Sequence, residues 1–86
     1  MTLSDTHSMT QDDALHWIAE LFEEPPSNIR ADTPRDAIPT WDSLGVLTLM
    51  AGLSERFDIT VDTTELDGMK TVDDILAVLR RAGKMN

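Results

Sequence analysis

Ser43, in the run Trp41-Asp42-Ser43-Leu44 at the start of an amphipathic stretch, is the residue of this chain best placed for chemistry. A serine hydroxyl becomes a nucleophile when a general base activates it. No His or Lys stands near Ser43 in sequence, and Lys70 and Lys84 are the only lysines. The serine is therefore available for modification and not equipped to catalyse. A plainer role is also open to it, since a serine that caps a helix contributes about 1 kcal/mol. Other candidate groups fall away. The chain has no cysteine, which excludes disulfides and thiolate metal sites, so any thiol chemistry must come from an added group. His7 and His16 lack the spacing of zinc ligands. The pairs Asp12-Asp13 and Asp73-Asp74 fall in first helical turns, where the helix dipole favours acids. They need no chemical role.

The elements that must position Ser43 are helices. From Leu44 to Phe57 apolar residues recur at Leu44, Leu47, Met50 or Ala51, and Phe57, a three-and-four spacing that predicts one buried stripe. Asp42 or Ser43 caps this helix. Gly45 and Gly52 each cost roughly 1 kcal/mol against alanine, so packing or a close neighbour must hold it. An earlier helix starts at Thr10, with Asp13 completing a near capping box, and carries Ala14, Leu15, Ile18, Leu21 and Phe22. Pro25-Pro26 ends it. Residues 25 to 41 hold all 4 prolines and no sustained period. A loop that long needs side-chain pins, and Ile29, Ala37, Ile38 and Trp41 are the candidates. Asp58 to Asp62 alternates like a strand but has no partner to pair with, so it reads as extended loop. One helical turn is expected near Thr64 to Gly68. Thr71, with Asp74 three residues on, caps a last helix whose stripe is Val72, Ile75, Leu76 and Leu79, while Arg80 and Arg81 suit its negative end. The chain is all-α, three amphipathic helices and a short one in a small bundle. At 86 residues it makes one domain, which buries only about 60 to 65% of its unfolded surface.

Three elements in this order, Asp42-Ser43-Leu44, the helix end Glu55-Arg56-Phe57-Asp58-Ile59, and Thr71-Val72-Asp73-Asp74-Ile75, resemble the acyl carrier proteins and their peptidyl carrier relatives. The resemblance covers roughly residues 10 to 82 and implies the four-helix bundle of that family; residues 1–9, polar and without a period, read as a loose tail, and residues 83–86 as a C-terminal tail. It implies that Ser43 carries a 4'-phosphopantetheine arm through a phosphodiester, with a cargo held on the arm's thiol as a thioester. Such an ester is compatible with a serine at a helix start, where free amide donors and the positive end of the dipole meet it. By the same resemblance Asp42, besides its alternative as a cap, is read by a phosphopantetheinyl transferase, and Leu44 stays partly exposed to meet partner enzymes. Val46 and Glu55 are further candidate partner contacts. Met50, Leu53 and Met69 either pack the core or line an acyl cavity. The family's fatty-acid carriers have an acidic second helix. Here the matching positions are Gly45, Thr48 and Ser54, and Glu55 is the only acid of the helix. That departure, with Trp41 before the aspartate, implies a specialised stand-alone carrier in lipid or secondary metabolism.

Charge bounds the partners. The net charge is −9, and residues 1 to 24 contribute six acids without a Lys or Arg, whereas residues 43 to 57 sum to zero. So acidic a chain repels phosphate backbones and anionic lipid, which disfavours nucleic acid and membrane surfaces and favours basic protein surfaces. Its expected partners are the transferase and the acyl or aminoacyl ligases and transferases that load and unload it. The alternative cargo is an aminoacyl or peptidyl group supplied by a separate ligase. From another class, an unmodified helical adaptor would use the same apolar faces. No apolar run approaches the ~20 residues of a membrane span, and Met1 to Asp5 lacks a basic leader. A cytoplasmic monomer is expected.

Overall fold

A computed structural model describes residues 9–85. Its order is α1 (Gln11–Leu21), single-turn 3-10 helices at Pro26–Asn28 and Arg35–Ala37, α2 (Ser43–Phe57), α3 (Thr63–Asp67) and α4 (Val72–Arg81). Among the described residues there is no strand: Asp58 turns the chain at the end of α2 with a left-handed φ of 58°, and residues 59–62 follow as a loop with no strand pairing. The all-α bundle of three longer helices and a short one agrees with the pattern of the sequence.

Helix starts follow the local chemistry. Thr10 Oγ1 accepts from the Asp13 amide at 3.1 Å while Asp13 Oδ2 accepts from the Thr10 amide at 3.2 Å. At α4, Asp74 Oδ2 accepts from the amides of Lys70 and Thr71 at 2.8 and 3.2 Å. Helix α1 ends earlier than the prolines require. Glu23 adopts a left-handed φ of 58°, the Glu24 amide returns to the Ala19 carbonyl at 2.8 Å, and the Glu23 amide returns to Glu20. This two-bond closure satisfies the last carbonyls before Pro25 is reached. Gly83, with φ 74°, closes α4 the same way, its successor Lys84 donating to Leu79 at 2.9 Å.

The long loop is pinned as its length demanded, though by a slightly different set. Ile29, Ile38 and Trp41 are buried, but Ala37 is exposed. Thr33 adds a polar pin: its hydroxyl accepts from the Arg30 amide at 2.8 Å and its carbonyl accepts from the Val72 amide at 2.9 Å. Pro34 and Thr71 form a bridge beside it. The loop is thereby fastened to the start of α4.

Helix α2 corrects the expected stripe. Leu44 and Leu47 are exposed, at 70% and 48%, whereas Val46, Leu49 and Leu53 are buried. The phase is set by the glycines. A Cβ on Gly45 would run into the Thr40 carbonyl oxygen, and one on Gly52 would lie 2.9 Å from Leu21 Cδ1 and 3.1 Å from Trp17 Cζ2. Both glycines face the loop and α1, so α2 packs on the side that holds them. Leu44 and Leu47 are left outside.

The packed unit also reaches past the limits set by sequence at 10 and 82. Met9 donates to the Lys84 carbonyl at 3.2 Å and pairs with Met85, which is buried at 6% exposure. The remaining tail positions, 1–8 and Asn86, lie outside the described residues.

Candidate functional site

The turn before α2 divides two roles that the sequence left open. Asp42 is the cap: its Oδ1 accepts from the Gly45 amide at 3.0 Å and its carbonyl accepts from the Val46 amide at 2.9 Å. Ser43, the first helical residue, is exposed. Among the described residues its hydroxyl has no hydrogen-bond partner, and the amides of Ser43 and Leu44 have no protein acceptor. The positive end of a 15-residue helix is thus capped on one side and open on the other.

The turn is held in place by α1 and the loop. Thr40 Oγ1 donates to the Phe22 carbonyl at 2.7 Å, while the Thr40 carbonyl abuts Gly45. Trp41 stacks on Phe22 with ring centroids 5.4 Å apart and is buried at 3% exposure. Arg35 also lies over the indole, 5.6 Å from its centroid. From there Nε donates to the Trp41 carbonyl at 3.0 Å, Nη1 to the Asp67 carbonyl at 2.8 Å, and Nη2 pairs with Asp67 Oδ1 at 3.3 Å. Nothing in the sequence marks Arg35, because its partner lies 32 residues away.

Ser43 opens onto a cleft between α2 and α3, lined also by Val46, Leu47, Thr63, Thr64 and Asp67. Further along the same side of α2, Met50, Ala51, Ser54 and Glu55 face Ile59, Thr60 and Val61 across a second groove. Neither lining contains a His or Lys that could activate the serine. Among the described residues no group of His, Asp and Glu is arranged to hold a metal ion.

The other candidates separate in space. Leu44 stands out from the surface, as expected of a partner contact. Val46 does not: at 3% exposure it is a core residue touching the Ser43 cleft, so it is corrected to a packing role. Gly45 is buried too, and no docking face can include it. Glu55 is exposed at the far end of the helix. Leu53 and Met69 belong to the core, while Met50 is half-buried on the second groove.

A family profile described as phosphopantetheine attachment site matches residues 16–79, from the middle of α1 to the last turns of α4. No curated protein matches the chain.

Proposed function

The chain belongs to the phosphopantetheine-attachment family, and on that premise we propose that Ser43 is the residue that bears its arm. Proteins of this family are carriers, not enzymes, and hold 4'-phosphopantetheine covalently. The observation that carries the assignment is the unengaged Ser43 hydroxyl on an exposed first helical residue, beside an aspartate that has taken over the capping. This site fits the group. A phosphodiester on Ser43 would meet the unoccupied amide end of α2. The arm's thiol supplies the sulfur that the cysteine-free chain lacks.

Each residue of the turn has a task in this reading. Asp42 fixes the helix start so that Ser43 stays outward, and Thr40 and Trp41 anchor the turn to α1. Leu44 and Leu47 give partner enzymes an uncharged, apolar surface beside the arm. The partners are a phosphopantetheinyl transferase and enzymes that handle acyl thioesters. Tethering turns each meeting of substrate and enzyme into a meeting of two folded surfaces at raised effective concentration. The cargo is an acyl intermediate of specialised lipid or secondary metabolism, a reading supported by the absence of acids on the exposed face of α2 before Glu55. Incubation with a promiscuous transferase and coenzyme A should add one phosphopantetheinyl group, read by intact mass, and none to Ser43→Ala. A wild-type protein that gains no mass overturns the assignment.

A further inference from the structure

We infer that Arg35 is the positioning residue of the carrier site, the single side chain that locks the α3 wall to the turn presenting Ser43. Three directed bonds from one guanidinium support it. Nε reaches the carbonyl of Trp41, two residues before the serine, and Nη1 and Nη2 reach the carbonyl and the carboxylate of Asp67, the last residue of α3. The Arg35 amide also donates to the Lys70 carbonyl at 2.8 Å, so backbone and side chain grip both sides of the α3 end.

The grip matters because α3 cannot hold itself. It has five residues, far short of the ~12 to 15 at which an isolated helix becomes even marginal. Only Leu66 of this helix is buried. The carbonyls of Thr64, Glu65 and Leu66 take the amides of Gly68 and Met69, so the Asp67 carbonyl is the one that wants a donor, and a cation is the favoured group at that end. Arg35 supplies both, with a side chain only 21% exposed and shielded by the Trp41 ring. Asp67, Thr63 and Thr64 form the wall opposite Ser43. The guanidinium therefore sets where that wall stands relative to the serine. Lysine cannot replace it, because one ammonium on a flexible stem does not span three acceptors in fixed directions.

The inference rests on the carrier reading in one respect, that a transferase must reach Ser43 in the cleft that α3 walls. The test is amide hydrogen exchange and transferase kinetics on the whole apo protein, wild type against Arg35→Gln, Arg35→Lys and Asp67→Ala. In Arg35→Gln the α3 amides should lose protection about tenfold while α1 and α4 keep theirs, and the transferase KM for the carrier should rise about tenfold with kcat unchanged. Arg35→Lys should not restore KM. Asp67→Ala, which removes an exposed side chain and spares the carbonyl contact, should give a smaller change in the same direction. It keeps the test open if the arginine variant fails to fold. Full α3 protection in Arg35→Gln, or an unchanged KM in it, overturns the inference. Should the wild type itself take no arm, the carrier reading fails, while the exchange measurement still decides the clamp.

Discussion

Asp42 and Ser43 are adjacent, both are good capping types, and only one caps. That assignment has a measurable consequence. Removing the Asp42 carboxylate frees the Gly45 amide and should cost about 1 kcal/mol, a fall of about 4–8 °C in Tm for a chain of this size. Ser43→Ala removes an exposed hydroxyl without a partner and should stay within about 0.5 kcal/mol of wild type, with unchanged helix content by circular dichroism. Equal losses in the two variants would return the cap to Ser43. Gly45 makes a second case. On helix propensity Gly45→Ala gains about 1 kcal/mol, but the new methyl meets the Thr40 carbonyl, which belongs to backbone fixed by the Thr40 to Phe22 bond. Overpacking of about 1–3 kcal/mol or more should win, lowering the urea midpoint. Gly52→Ala, which meets only the ends of Leu21 and Trp17 side chains, should lose less. A more stable Gly45→Ala would refute the contact. The sequence already pointed to close approach at these glycines, through the cost of placing them inside a helix. It held nothing about Arg35, whose role comes from a pairing across most of a helix bundle.

At the scale of the element, helix starts were legible, and so were the faces of α1 and α4, whose stripes from Ala14 to Phe22 and from Val72 to Leu79 do pack inward; the face of α2 was not. Caps are local, so Thr10, Thr71 and the Asp42-Ser43 pair located three starts without tertiary information. The stripe of α2 was ambiguous for a physical reason: apolar residues occur on nearly every side of Leu44 to Leu53, and the neighbours choose which side is buried. Trp17 and Leu21 against Gly52, and Thr40 against Gly45, make that choice. The end of α1 was misplaced because a left-handed glutamate, Glu23, does there what glycine does at Gly83. Turning α2 exposes Leu44 and Leu47 and leaves Thr48 and Ser54 as its exposed polar positions between Ser43 and Glu55. A fatty-acid-synthase enzyme whose Lys and Arg expect acids there loses contacts worth up to about 1 kcal/mol each. Under the proposed function, malonyl transferase should load the pantetheinylated protein poorly, and Thr48→Glu with Ser54→Glu should raise kcat/KM. Gly45 is no place for such an acid, since it is buried. Rapid loading of wild type with no gain from the added acids would count against a specialised carrier.

At the scale of the molecule, charge and packing run in different places. The apolar face of α2 carries no charge before Glu55, yet the chain as a whole is at −9. The exposed acids stand elsewhere, at Asp12, Asp13, Glu20 and Glu23 on or just after α1 and at Asp62, Glu65 and Asp67 on and around α3. Under the proposed function, long-range attraction of basic partners comes from the whole surface, and contact specificity from Leu44 and Leu47. The bundle itself is closed by its ends. Residues 83–86, beyond the stretch that the family resemblance covers, read as a tail from the sequence. The turn at Gly83 instead folds the chain back, the Met9 amide bonds to the Lys84 carbonyl, and Met85 enters the core. A tail methionine can be truncated without effect, whereas a buried one cannot. Loss of a buried methionine side chain typically costs 2–5 kcal/mol. Met85 sits at the margin, so Met85→Ala should fall near the lower bound, about 2 kcal/mol, lowering Tm by about 10 °C. Leu44→Ala, at 70% exposure, is the matching control and should shift Tm by no more than about 4 °C. Thermal melts of the two variants decide the matter: if Met85→Ala melts with wild type, the chain ends are not part of the core, and the bundle closes at Arg81.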